Sequence, residues 1–187
     1  MSGQICGIDE AGRGCLAGPL CVAGCVLQRE ITGLADSKKL SEKRREELYA
    51  QIIENSRYKI VEISSAQVDK AGLSSCLRSA LERILAYFAG FSGQIIYDGN
   101  ANFGVRGLQT LVKADAQIAE VSAASILAKV TRDRTMYELA RHFPQYDFAK
   151  NKGYGSRAHI AAIERYGLTP FHRASYKIKS LQPSLFD

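Results

Sequence analysis

Four carboxylates stand apart from the other acidic residues of this chain: Asp9, Glu10, Asp98 and Asp115. Each ends or closely follows an apolar segment and is flanked by glycine or small residues, whereas acids such as Glu42 to Glu47 belong to a charged helix face. In an α/β sheet, sites are built at the ends of central strands and in the loops just beyond them. Carboxylates meeting there repel one another and hold protons more tightly unless cations neutralise them. Oxygen donors of this kind suit magnesium or manganese rather than zinc, and no cluster of histidine and cysteine argues otherwise. Two such ions about 3.5–4 Å apart would activate a water and stabilise the leaving oxygen in phosphodiester hydrolysis. The plain alternative for any single aspartate is a cap on a turn or helix; four in these contexts favour a site.

One geometric condition attaches to the acidic pair. Neighbouring strand residues point to opposite faces, so Asp9 and Glu10 share an ion only if Glu10 lies past the strand end or in a bulge. Gly12 and Gly14 make such a turn reasonable. Two other readings of the glycines are poor. A P-loop would need Lys and Ser or Thr where Arg13 and Gly14 stand, and a dinucleotide fingerprint on Gly12, Gly14 and Gly18 would need a helix where Pro19 and a β-like run follow.

The elements that must position these residues follow from hydropathy patterning. Gln4 to Asp9, Leu20 to Leu27, Tyr58 to Ser64, Gln94 to Asp98 and Gly107 to Val112 read as five strands. Ser41 caps a helix carrying Leu48, Ile52 and Ile53 on its apolar face. Leu73, Leu77, Ala80, Leu81, Ile84, Leu85 and Phe88 recur at helical spacing. A long helix is predicted from about Gln117 to Arg141, with small residues (Ala119, Ser122, Ala123, Ala124, Ala128) that permit close packing on a sheet. Asn151 to Ser156 is a glycine-rich loop, Ala158 to Tyr166 a further helix, and from Thr169 the chain is polar and irregular.

Composition bounds the class. At 187 residues, 46% hydrophobic and 24% charged, the chain suits one soluble α/β domain with a sizeable core. No apolar run approaches the ~20 residues of a membrane helix, and no secretory signal is visible, so a cytoplasmic protein is expected. The five cysteines (Cys6, Cys15, Cys21, Cys25, Cys76) form no C-x-x-C pair and read as buried free thiols rather than disulfides or a zinc site. The net charge of +6 favours polyanionic partners.

With these residues in place, the sequence resembles the ribonuclease HII family. Gly7-Ile8-Asp9-Glu10-Ala11-Gly12-Arg13-Gly14 matches the opening signature of that family. Asp36-Ser37-Lys38-Lys39-Leu40, Tyr97-Asp98-Gly99-Asn100, Lys113-Ala114-Asp115, the run Ser122 to Val130, and Asn151-Lys152-Gly153-Tyr154-Gly155-Ser156 with His159 follow in the family's order. The matches span roughly residues 5 to 175.

The resemblance implies a ribonuclease H-like fold: a mixed five-stranded sheet flanked by helices, with a small helical C-terminal part. It implies one catalytic domain over 1–187, with 169–187 as an extension. It makes Asp9, Glu10, Asp98 and Asp115 the catalytic, metal-holding acids, with Mg2+ or Mn2+ as cofactor. The implied activity is cleavage of RNA in RNA–DNA hybrids and nicking 5′ to single ribonucleotides in duplex DNA, leaving 3′-hydroxyl and 5′-phosphate ends. That activity needs a reader of one 2′-hydroxyl, and the resemblance assigns it to Gly12, Arg13, Gly14 and Tyr154.

Ser37, Lys38, Lys39 and Lys152 are candidates for phosphate contacts, as are Lys113 and Arg157; solvated surface charge is the alternative for each. Lys129 is a charge on an otherwise small and apolar stripe, placed to snorkel or reach toward the acids, with Asp133 one turn on. His159 and His172 are assigned to structural contacts. The chain departs from the family pattern at Gly155-Ser156, where proline or threonine is frequent, and at Tyr176, where phenylalanine is usual; both changes are conservative.

Two rival readings have their own tests. A non-catalytic nucleic-acid-binding module would gain nothing from four acids facing phosphates, and a cleavage assay separates it. Ribonuclease HIII usually carries an extra N-terminal domain, for which an acidic pair at 9–10 leaves no room. Finally, Gln182-Pro183-Ser184-Leu185-Phe186 resembles the pentapeptide with which bacterial proteins dock on the sliding clamp, making Gln182, Leu185 and Phe186 candidate contacts to that partner. A monomer is expected otherwise.

Overall fold

The structure, a computed structural model, describes residues 4–34 and 37–177. β1 (Ile5–Ala11) and β2 (Leu20–Leu27) form an antiparallel pair, and β3 (Ser56–Ile63) continues it along the whole of β2. On the other side of β1, β4 (Gln94–Asp98) and β5 (Gln109–Leu111) run parallel to it. The order β3-β2-β1-β4-β5 gives the mixed five-stranded sheet that the sequence predicts, with β1 at its centre.

Among the described residues, six helices accompany the sheet: α1 (Glu42–Glu54), α2 (Ser65–Ala71), α3 (Leu73–Tyr87), α4 (Ala119–His142), α5 (Phe148–Asn151) and α6 (Arg157–Tyr166). Strand alternation sorts side chains between two faces. Cys6, Ile8, Leu20 and Val22 meet Leu77, Leu81, Ile84 and Phe88 of the α3 region, where each fully buried large side chain contributes about 1.5–3 kcal/mol. Cys21, Ala23 and Cys25 face Ala123, Ala124 and Leu127 of α4 and Leu48 and Ile52 of α1. α4 lies very close to β1, because a Cβ on Gly7 would sit 2.2 Å from the backbone of Glu120 and Val121. The small residues of α4 continue that seam.

Several elements differ from the sequence expectation, among them α5, a short helix that runs into the expected glycine-rich loop at Asn151. α2 is an additional helix between β3 and α3; its signal was the capping box Ser64-x-x-Gln67, both halves of which form. β5 is shorter than Gly107 to Val112, because Gly107 takes a left-handed conformation (φ 75°) before the strand starts.

From Thr169 the chain is irregular, as its composition suggests, and it lies against the body through Tyr176. Ala17 and His172 form an isolated antiparallel bridge, Arg173 and His172 are buried, and Asp69 of α2 accepts from the N–H groups of Ala174 and Ser175. Gln182, Leu185 and Phe186 lie outside the described residues. Among the described residues no helix is long and apolar enough to cross a membrane, and all five cysteines are free and buried.

Candidate active site

The parallel pairing of β1 and β4 sets Ile8 against Tyr97, so Asp9 and Asp98 follow side by side at the C-terminal ends of the two strands. Asp115 comes from a single 3-10 turn, Ala114–Ala116, entered through Lys113 in a left-handed conformation (φ 59°). That turn is tied to the end of β4, since the Ala114 N–H donates to the Asp98 carboxylate at 3.1 Å. One carboxylate oxygen from each of Asp9, Asp98 and Asp115 then lies within 4.8 Å of the others. Asp9 and Asp115 are buried. Burial first, and then the neighbouring Glu10, hold the Asp9 carboxyl well above the usual carboxylate range, although Ser125 donates a hydrogen bond to it. Three hard oxygen donors, two of them buried and one of these already short of charge compensation, fit a magnesium- or manganese-type cation.

Glu10 corrects the expectation for the acidic pair. It is neither past the strand end nor in a bulge: it pairs regularly with Val22 inside β1 and so points to the face opposite Asp9. There the Tyr97 hydroxyl donates to its carboxylate at 2.6 Å, and the Arg13 guanidinium lies 3.7 Å away. Burial still raises its proton affinity, against the pull of Tyr97 and Arg13. Glu10 therefore stands beside the three converging aspartates and not among them. In the sequence Tyr97 stands only within the Tyr97-Asp98-Gly99-Asn100 match, with no role assigned to it.

A groove of about 450 Å³ opens beside the acids, lined by Glu10, Gly12, Arg13, Gly14, Lys38, Lys129 and Tyr154 among others. Gly12 has φ 91°, and a Cβ there would meet the Arg132 side chain at 2.1 Å, so the turn requires glycine. The Tyr154 hydroxyl lies against the Cys15 thiol, and the Arg132 guanidinium sits over the Tyr154 ring at 5.8 Å. The two halves of the expected sugar reader are thus neighbours. Lys129 lines the groove and pairs with Asp133 at 2.6 Å.

The remaining candidates divide. Ser37 also lines the groove, but its buried hydroxyl hydrogen-bonds Ser125 at 2.8 Å, placing it behind Asp9. Lys152 points elsewhere: its ammonium donates to the Ala149 carbonyl and rests over the Tyr137 ring at 3.7 Å, and burial lowers its proton affinity. Lys39, Lys113 and Arg157 are exposed and are not among the groove's lining residues. Sequence reasoning missed Arg45, which lines the groove while donating to the Ser37 and Leu40 carbonyls.

His159 and His172 form a buried pair, Nε2 to Nε2 at 3.1 Å. His172 Nδ1 accepts from the Thr169 N–H, so its proton sits on Nε2 and is donated to His159. The Nδ1–H of His159 in turn donates to the Tyr154 carbonyl at 2.8 Å. Burial keeps both rings neutral and, with the His159 ring beside it, lowers His172 to about 4.

A sheet of order β3-β2-β1-β4-β5 with aspartates gathered at the ends of its central strands defines a ribonuclease H-like nuclease. The family model described as Ribonuclease HII matches residues 6–179. The ribonuclease HII of Campylobacter hominis is 63% identical over 179 residues, covering 96% of this chain and 97% of its own. That of Campylobacter concisus is 56% identical over 185 residues, 98% and 99% of the two chains. Among solved structures, the Archaeoglobus fulgidus ribonuclease HII, determined in complex with PCNA, superposes with a TM-score of 0.79 at 27% identity, covering 97% of this chain and 98% of that one. The chain belongs to the ribonuclease HII family and is an endonuclease that hydrolyses RNA.

Proposed function

We propose that this enzyme hydrolyses the RNA strand of RNA–DNA hybrids and nicks duplex DNA 5′ to a single embedded ribonucleotide, leaving 3′-hydroxyl and 5′-phosphate ends. The observation that carries the reading is the convergence of Asp9, Asp98 and Asp115 within 4.8 Å, next to a groove lined by Arg13, Lys38 and Lys129. Bound at the acids, two Mg2+ or Mn2+ ions would supply an activated water and neutralise charge at the leaving oxygen.

The protein's own residues do the rest. Asp9, Asp98 and Asp115 hold the cations, and Ser125, backed by Ser37, orients the Asp9 carboxylate. Glu10, fixed by Tyr97 and Arg13, is the fourth acid and faces the same groove from the other side of β1. Arg13, Lys38 and Lys129 supply positive charge along the phosphate track. The backbone of Gly12, Arg13 and Gly14 approaches the sugar, and Tyr154 offers a ring face and a hydroxyl to the 2′-OH. Lys152, engaged with Ala149 and Tyr137, is left out of the phosphate contacts.

We also infer a cytoplasmic enzyme that docks on a sliding clamp through Gln182, Leu185 and Phe186; the PCNA complex of the archaeal relative supports this partner. Removing residues 182–187 should weaken clamp binding, and unchanged affinity would end that proposal. The cleavage reading is tested with a labelled duplex carrying one ribonucleotide, in magnesium or manganese. A cut mapped to the 5′ side of the ribonucleotide is expected; no cut, or one elsewhere, overturns it.

A further inference from the structure

The stretch Phe171–Tyr176 is hydrogen-bonded to both loops that line the groove. The Phe171 carbonyl accepts from the Gly18 N–H at 2.8 Å, and the Arg173 N–H donates to the Leu16 carbonyl at 2.7 Å. The buried Arg173 guanidinium donates to two carbonyls of the same loop, Arg13 at 3.0 Å and Gly18 at 3.1 Å. The Tyr176 hydroxyl adds a second donor to the Arg13 oxygen at 2.9 Å. From its other side, His172 reaches His159 and, through it, the Tyr154 carbonyl.

These bonds have a directional consequence. The Arg13 carbonyl and the Gly14 N–H belong to one planar trans peptide and point in opposite directions. With Arg173 and Tyr176 holding the oxygen, the N–H is turned the other way, where Gly14 lines the groove and a Cβ on it would meet nothing within 4 Å. The histidine pair is equally directional: each ring has one donor and one acceptor in use, so the chain Thr169 N–H, His172, His159, Tyr154 carbonyl closes with one proton arrangement. The groups packed on the pair are the rings of Tyr146 and Phe148 and the hydroxyl of Thr169, none of them charged at neutral pH.

We propose that Phe171–Tyr176 is the positioning segment of the sugar reader: Arg173 and Tyr176 aim the Gly14 N–H into the groove, and His172 sets the place of Tyr154. The proposal rests on the reading of Gly12, Arg13, Gly14 and Tyr154 given above. None of Arg173, His172 or Tyr176 lines the groove among its described residues, so they act through the loops and not on substrate. The segment is itself held from outside by Asp69, whose carboxylate accepts from the Ala174 and Ser175 N–H groups and from the Ser175 hydroxyl at 2.6 Å.

The test measures two quantities on each variant: the ratio of nicking at a single ribonucleotide to cleavage of a continuous RNA–DNA hybrid, and backbone hydrogen exchange at 12–18 and 153–156. His172→Phe keeps a ring among Tyr146 and Phe148 but breaks the relay, and Arg173→Met releases both carbonyls. Asp69→Ala, at a residue that does not line the groove, loosens the segment without opening the core. Each should lower the ratio, by about tenfold for the two buried variants and a few-fold for Asp69→Ala, with faster exchange in both loops. His172→Gln, which keeps an amide donor toward His159, should recover part of the ratio. A general loss of stability would lower both activities together and leave the ratio alone. Unchanged exchange in Asp69→Ala and His172→Phe overturns the positioning role. Faster exchange with an unchanged ratio, while Tyr154→Ala does lower it, also overturns that role but spares the sugar-reading assignment. If Tyr154→Ala leaves the ratio unchanged, the assignment fails and the proposal falls with it.

Discussion

At one end of the groove, Asp9, Asp98 and Asp115 owe their positions to two adjacent strand ends and a tight helical turn. At the other, Gly12, Arg13, Gly14 and Tyr154 stand on loops whose places are set by bonds from the buried side chains of Arg132, Arg173 and His159. The first arrangement is fixed by the sheet itself and gathers like charges that burial disfavours. The second contains little charge conflict and is fixed by donors aimed at backbone carbonyls. The proposed cation site is thus unstable when empty yet rigidly placed, while the proposed reading site is stable but only as precise as the side chains behind it.

The comparison can be broken most sharply at the acids. Asp98→Asn should lower single-turnover cleavage on the order of a thousandfold, about 4 kcal/mol of transition-state stabilisation. Hybrid affinity should stay within a few-fold, because Arg13, Lys38 and Lys129 remain; an equal loss of binding would show Asp98 to be a structural residue.

A stability measurement in EDTA sharpens the same contrast. The carboxyl of Asp9 is shifted upward by folding from an ordinary value of 3.8. Below that value it is protonated in both states and costs nothing; as pH rises above it, the folded state must either keep the proton or bury a charge, and stability is lost. At pH 7 without metal, Asp9→Asn should therefore raise the melting temperature, roughly 2–4 °C for each kcal/mol recovered, while abolishing cleavage. A lower melting temperature would mean that Asp9 is stabilising even when no cation is bound.

At the reading end the sign is reversed. His172 is lowered by folding from 6.5 to about 4, so above 6.5 it is neutral in both states and stability is fully present. As pH falls from 6.5 toward 4 the unfolded chain takes up a proton that the folded pair refuses, and stability declines. The difference between wild type and His172→Gln in denaturant midpoint should narrow across that window; parallel curves would show that the pair does not titrate as described. The smallest effect is expected at Lys39, which lies off the groove: Lys39→Ala should change hybrid affinity by less than about twofold in a binding titration.

The same division governs how much was legible in the sequence. β2 and β4 fall at their predicted limits, Leu20–Leu27 and Gln94–Asp98, and Ser41 caps α1, because hydropathy alternation and capping residues are local signals. The aspartates were legible because strand ends are. Glu10 falls otherwise: alternation within β1 runs through it, so neither the strand end nor the bulge expected there is found. Arg132, Arg173 and the direction of the histidine pair could not be read, since a buried arginine and an exposed one look alike in a sequence; only partners more than 100 residues away, such as Ala17 and Gly18, distinguish them. The surroundings of Lys152 were not legible either, its ammonium being taken up by the nearby Ala149 carbonyl and the Tyr137 ring.

The contact of Gly7 with α4 sets more than a packing distance. Gly7 meets Val121, and two residues on Asp9 meets Ser125, four residues further along the helix. Four helical residues advance about 6 Å and two strand residues about 6.6 Å, so strand and helix keep step like the scales of a vernier over this stretch. Deleting one residue between Val121 and Ser125 would rotate the serine by roughly 100° away from the carboxylate. The length of α4 there is a gauge, and the hydroxyl arrives over Asp9 only while the two rulers stay matched.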